Sequence, residues 1–142
     1  MDKKQRASVL EFWRNGNKKG LVATTALSNG IDYDEVQLVA NYGKPRNIIE
    51  FGQESGRGGW ALDIAQSIVF WDPSQKDRPL EPGQDDIGVA GMNDYVSTCA
   101  CRCICLGKNL NDDQSNISCL QMGVVALCDL CEMKVKEASL VS

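Results

Sequence analysis

Apolar positions set the first element. Val9, Leu10 and Trp13 fall at i, i+1 and i+4, with Arg6 and Arg14 off that face, which predicts an amphipathic helix over 2–14. The run "NGNKKG" closes it with Asn and Gly. "LVATTAL" (21–27) is short, continuous and rich in β-branched residues, as a buried strand is. "SNGIDYDE" reads as a loop and "VQLVANYG" (36–43) as a second strand. Pro45 opens a new element, and "RNIIEFGQESG" (46–56) suits a helix of about three turns. "QSIVFW" (66–71) is a third strand, stopped by Asp72-Pro73. Strand, helix and strand in this order predict part of a parallel α/β sheet with flanking helices.

The pattern then breaks. Pro73, Pro79 and Pro82 stand among Gly83, Gly88 and Gly91 with many Asp, so 72–94 reads as a linker. A cysteine-rich segment over 95–135 follows, and 136–142 is a short tail. Residues 1–71 form the α/β part, which three strands and two helices leave incomplete. Such a sheet predicts an unpaired edge, exposed apolar surface and marginal stability.

Composition narrows the function classes. The 142 residues are 43% apolar, enough for one modest core, and carry a net charge of −4. An acidic balance disfavours a free-standing nucleic-acid binder held by phosphate contacts. Residues 1–20 nevertheless carry six Lys/Arg against Asp2 and Glu11, a local +4, which reads as a solvated helix face or a contact surface. The N-terminus has no apolar core of a secretory signal, and no run approaches the ~20 apolar residues of a membrane helix. An intracellular, reducing compartment is the expectation, and there clustered cysteines hold metal more often than disulfides. The chain has seven Cys and no His, so a histidine base and a Cys–His nucleophile are both excluded. Any zinc site must be all-cysteine or include a carboxylate.

Two stretches can carry phosphate chemistry. In "ATTALSNGID" (23–32) a strand end leads into Thr24, Thr25 and Ser28, which can donate to phosphate oxygens, and then into Gly30 and Asp32, which can accept from a sugar hydroxyl. The same residues also suit a plain turn with capping side chains. In "QESGRGGW" (53–60) glycines let Arg57 approach a phosphoryl group closely, and Gln53 can fix a phosphate or a water. A helix end with glycine caps and an exposed arginine explains it equally well. No strand followed by GxxxxGK[ST] is present, nor an acidic magnesium box after a strand, so this half supports only part of a nucleotide site.

Taken together, "LVATTALSNGID" and "VQLVANYGKPRNIIEFGQESGRGG" resemble motifs V and VI of RecQ-type DNA helicases of superfamily 2. "RASVLEFWRNGNKKG" is similar to the helix that precedes motif V, and the resemblance covers about residues 6–71. It implies the later portion of the second RecA-like lobe of a 3′→5′ DNA-unwinding ATPase. On that resemblance Thr24, Thr25 and Ser28 lie near DNA. Gly30, Asp32, Gln53 and Arg57 lie near ATP and its Mg²⁺, with Arg57 contributing to catalysis. The family reads QESGRAGRDG, whereas here Trp60 stands at the second arginine. Losing such a charge-stabilising group costs orders of magnitude in rate.

The cysteines give a separate line. Cys101, Cys119, Cys128 and Cys131 are spaced C-x17-C-x8-C-x2-C, and four thiolates make a closed structural zinc site. Buried or free thiols are the alternative, as is a small redox centre at "CDLC". The spacing and the approach "YVSTCACRCICLG" resemble the zinc-binding subdomain that follows the lobes of RecQ-type helicases. Cys99, Cys103 and Cys105 are additional, and Cys105 would share a helical face with Cys101 and compete as a ligand. The resemblance implies an incomplete helicase, inactive alone, acting on DNA in the nucleus with the missing lobe supplied in trans. The competing class is a non-enzymatic zinc-containing interaction module for DNA or protein.

Overall fold

The computed structural model describes residues 2–16, 19–24, 36–56, 58, 64–74, 83, 86–111, 115–124 and 126–140. Helix α1 spans Lys3–Arg14. Asp2 caps it: the Gln5 N–H donates to Asp2 Oδ1 at 2.8 Å, and Gln5 Oε1 accepts from the Asp2 N–H at 3.1 Å. This reciprocal pair satisfies two donors that the first turn would otherwise leave open. Leu10 and Trp13 are half-buried, while Val9 and Phe12 stay exposed.

Strand β1, Leu38–Tyr42, and strand β2, Gln66–Phe70, form a two-stranded parallel sheet. Leu38 opposes Gln66 and Tyr42 opposes Phe70. Helix α2, Ile48–Ser55, lies between them in sequence. Asn47 starts it by accepting the Ile49 N–H at 2.7 Å. The helix is therefore about two turns, shorter than the predicted three, because the cap falls two residues beyond Pro45. The predicted strand over 21–27 is not borne out in its described part. Residues 21–24 pair with no strand among the described residues, and Val22 is fully exposed. Residues 25–27 lie outside the described residues.

Helix α3, Asp86–Ser97, occupies the last part of the stretch read as linker. Gly88, Gly91 and Met92 are its buried positions, spaced at one helical turn. Gly91, one of the glycines that suggested a loop, is instead where other elements come close. A Cβ on Gly91 would sit 2.4 Å from Asn109 Oδ1 and 3.0 Å from Ile48 Cγ2. Helix α4, Arg102–Leu110, completes the packing, and Gly52 of α2 admits Leu110 where a Cβ would meet its Cδ1 at 2.7 Å. Ile48, Phe51 and Met92 form the apolar core, with Val69, Tyr95, Val96 and Leu106 against it.

Short helix α5, Cys119–Met122, and helix α6, Asp129–Leu140, follow. A second buried cluster of Cys101, Cys119 and Cys131 joins their starts to the start of α4. Among the described residues only one face of the sheet is covered. Leu38, Tyr42, Ile68 and Phe70 share the other and are exposed, although parallel sheets normally bury both.

Candidate metal centre

Each of the four spaced cysteines sits at a helix start. Cys101 is the residue before α4, and Cys119 is the first residue of α5. The start of α5 is fixed by a reciprocal cap, with the Ser118 N–H donating to Gln121 Oε1 at 2.9 Å. Cys128 immediately precedes α6, and Cys131 lies within its first turn. Three helix starts thus deliver four sulfurs to one place.

The four Sγ atoms all lie within 4.8 Å of one another. Cys101 to Cys119 is 3.6 Å, Cys119 to Cys128 is 3.7 Å and Cys128 to Cys101 is 3.8 Å. A tetrahedron with metal–sulfur bonds of about 2.3 Å has edges of about 3.8 Å, which these three separations match, and Cys131 lies within 4.8 Å as the fourth sulfur. They do not fit disulfides, and all seven cysteines are free. Cys101, Cys119 and Cys131 are buried and Cys128 is half-buried, which suits a closed structural site better than one with an open position.

The surroundings favour thiolate. The Cys119 N–H donates to Cys101 Sγ at 3.3 Å, and the Cys128 N–H to Cys119 Sγ at 3.5 Å. Burial pushes the Cys101 thiol up, but the N–H groups of Cys119, Ile104 and Cys103 outweigh it and bring it down to about 6. Burial and the adjoining sulfurs of Cys119, Cys128 and Cys101 push Cys131 up to about 12. Sulfurs this close cannot all ionise without a cation among them, and a divalent metal removes that conflict.

A charged clip braces the site. Arg102 Nε and Nη2 donate to Asp129 Oδ1 and Oδ2 at 3.1 and 3.0 Å, tying the residue after Cys101 to the residue after Cys128. Arg102 Nη1 also donates to the Tyr95 carbonyl. The guanidinium hydrogen bond holds the Asp129 carboxyl below its usual value. Sequence reading missed this pair. The available signal was a carboxylate inside C-x2-C and an arginine directly after the first cysteine.

Of the other cysteines, Cys105 does not join the cluster. It is buried one turn along α4, where Asn109 Nδ2 approaches its sulfur at 3.7 Å. Cys103 packs against the cluster, and burial and the charge of Cys101 push its thiol up to about 12. Cys99 is exposed. Among the proposed nucleotide and DNA contacts, Gln53 is exposed on α2 and Thr24 is exposed in the unpaired segment. Thr25, Ser28, Gly30, Asp32, Arg57 and Trp60 lie outside the described residues.

Comparison with known proteins now bears on the first half. Residues 1–61 match the helicase conserved C-terminal domain. The likeness of this stretch is to the RecA-like C-terminal domain of helicases. The DEAD-box ATP-dependent RNA helicase 35A of Oryza sativa subsp. japonica is 40% identical over 79 residues, 56% of this chain and 13% of that protein. The ATP-dependent RNA helicase eIF4A of Neurospora crassa is 41% identical over 83 residues, 57% of this chain and 21% of that protein. A Caenorhabditis briggsae protein named as an ATP-dependent DNA helicase Q1 is 27% identical over 139 residues, 93% of this chain and 21% of that protein. The chain therefore spans about a fifth or less of the length of these relatives. The matched segment contributes α1, β1 and α2, and the four-cysteine cluster lies beyond it.

Proposed function

We propose that the chain is the closing part of the second RecA-like lobe of a RecQ-like 3′→5′ DNA helicase, joined to its zinc-binding subdomain. The supporting observation is the pairing of helicase sequence over 1–61 with a four-thiolate cluster at Cys101, Cys119, Cys128 and Cys131. The DNA helicase Q1 likeness runs over 93% of the chain, cysteine segment included, whereas the RNA helicase likenesses stop at 56–57%. In this reading zinc is structural: its four thiolates leave no position for water or substrate. Thr24, Thr25 and Ser28 contact the DNA backbone. Gly30, Asp32, Gln53 and Arg57 serve an ATP·Mg²⁺ held mainly by a first lobe supplied in trans, and the work is on chromosomal DNA in the nucleus.

The isolated chain turns over no ATP in this reading. It contains no GxxxxGK[ST], and Trp60 stands where a second arginine would meet transition-state charge. The test is elemental analysis of the purified chain together with an ATPase assay in the presence of single-stranded DNA. One zinc per chain and no turnover is the expected result. Zinc-stimulated ATP hydrolysis by the chain alone would sink the claim of inactivity, and a folded chain without zinc would sink the RecQ-like assignment.

One observation favours a second reading, a non-enzymatic zinc-containing interaction module. Helix α1 presents Lys4, Arg6 and Arg14 at its surface within a segment of local charge +4. Salt-dependent DNA affinity that disappears on reversing Lys4 and Arg6 would support that role. Affinity indifferent to the reversal would remove it.

A further inference from the structure

Arg102 joins the four-cysteine cluster to α3, which packs on α2 of the matched segment. It directly follows Cys101, and its two parallel bonds hold Asp129, which lies between Cys128 and Cys131. Its remaining side-chain nitrogen reaches the main-chain carbonyl of Tyr95 on α3. Its guanidinium carbon lies 5.3 Å from the centre of the Tyr95 ring, within cation–π range. The other end of the path is as well defined. The Tyr95 ring meets Phe51 of α2 with centroids 5.0 Å apart at 48°, and Phe51 is 1% exposed. Gln53 follows two residues later on the same short helix.

We propose that Arg102 is a positioning residue through which occupancy of the four-thiolate site orders α3 and α2, the helix that carries Gln53. The proposal rests on the reading that the site binds metal. A bound ion holds the starts of α4 and α6 together, which fixes Asp129 against Arg102. The fork then has one available direction, with its plane against Tyr95 and its third edge on the Tyr95 carbonyl. Without the ion, sulfurs 3.6–3.8 Å apart have no strong attraction, so the two helix starts separate and Asp129 no longer sets the guanidinium. Tyr95 then loses its partner on one side while remaining against Phe51 on the other. Lysine cannot take over this role. A single ammonium cannot grip both carboxylate oxygens, reach the carbonyl and cover the ring at once. Direct packing of α2 on α4, at Gly52 and Leu110, offers a parallel route that bypasses Arg102. The decisive variant must therefore leave that packing intact.

Hydrogen exchange of the full chain, zinc-loaded and after chelation, reads the proposal through the amides of residues 51–55. The chains are the wild type, Arg102→Lys, Arg102→Ala and Asp129→Asn, with zinc affinity measured in parallel by competition with a chromogenic chelator. The wild type is expected to lose about tenfold protection in α2 when zinc is removed. Arg102→Lys and Asp129→Asn are expected to bind zinc about 10–100-fold more weakly. At saturating zinc their α2 exchange should no longer respond to the metal. Arg102→Lys keeps the charge and the stem, so it answers the question even where the alanine variant unfolds. Metal-dependent α2 exchange in Arg102→Lys as large as in the wild type would overturn the proposal. Bound zinc with wild-type α2 exchange unchanged on chelation would overturn it alone. No bound zinc in the wild type would overturn it together with the metal reading.

Discussion

Replacing Cys131 by serine tests how the second half of the chain is held. Cys131 is 1% exposed on the first turn of α6, and its sulfur is one corner of the four-sulfur cluster. Structural zinc in small domains contributes about 10–16 kcal/mol of apparent binding energy, most of it through its thiolates. Divided over four sulfurs, one ligand carries about 2.5–4 kcal/mol, or roughly two to three decades in Kd. A serine hydroxyl does not ionise near neutral pH, so it recovers little of that. Chelator competition should show the loss directly, and far-ultraviolet circular dichroism should show α6 melting earlier. Cys99→Ser is the control, because Cys99 is exposed and outside the cluster, and it should leave both readouts unchanged. A Cys131→Ser chain that binds zinc within threefold of the wild type would refute the reasoning. So would a metal-free wild type that melts with the loaded protein.

Other outcomes follow from the same contacts. Phe51→Ala should cost about 3–5 kcal/mol in urea unfolding, because the ring is buried against Tyr95 and little can collapse into its space; a loss under 1 kcal/mol would mean the apolar core is not where it is drawn. Gly91→Ala should cost about 1–3 kcal/mol through the approach to Asn109, and Asn109→Ala in the same chain should recover part of it. The Arg102 bond depresses the Asp129 carboxyl, so its contribution is present above the unfolded value near 4 and is lost as pH falls through the lower folded value. Asp129 is largely exposed, so the carboxylate's own share is about 0.5–1 kcal/mol, separate from any change in zinc affinity, and the wild-type minus Asp129→Asn difference in urea midpoint should shrink by that share in acid. Phe70→Lys should raise solubility with little change in melting temperature, since that side chain lies on the uncovered sheet face; a large drop in melting temperature would show that the face is packed in solution.

Legibility in the sequence tracked the kind of force at work. Helix α1 was readable because its apolar stripe has helical period, and the structure adds the local cap of Asp2 and Gln5. β1 and β2 were readable because their runs are short, apolar and bounded by turn residues. The four sulfurs were readable because metal spacing is a covalent-scale constraint that tolerates little variation. The start of α3 was not readable. Gly88 and Gly91 look like loop residues in one dimension, and only the approach of Asn109 and Ile48 to Gly91 shows that close helix packing selects them. Arg102 and Asp129 are 27 residues apart, so their pairing depends on the cluster that brings α4 and α6 together. The strand read at 21–27 failed in its described part because strand character needs a neighbour, and propensity alone supplies none.

The two clusters of buried side chains divide the work unequally, and this explains why sulfur rather than hydrocarbon closes the second half. Among the described residues only Ile48, Phe51 and Met92 are large apolar side chains removed from water, and all three belong to α2 and α3. Beyond Leu110, α5 and α6 bury only Cys119 and Cys131, while Leu120, Met122, Met133, Val135 and Leu140 remain exposed. Burial at about 25 cal/mol per Å² cannot order these helices when so little apolar area leaves water, and each ordered residue costs about 1–2 kcal/mol of conformational entropy. A small segment in that position needs a staple. All seven cysteines are free thiols here, so a disulfide does not supply it. An ion bound by the four clustered sulfurs would supply it, and the Arg102–Asp129 clip would spread that constraint to the helix starts. The same argument orders the predictions. On the metal-bound reading, loss of a thiolate should unfold α5 and α6 before it disturbs α1 and the sheet, because the cysteine cluster lies at the starts of the former.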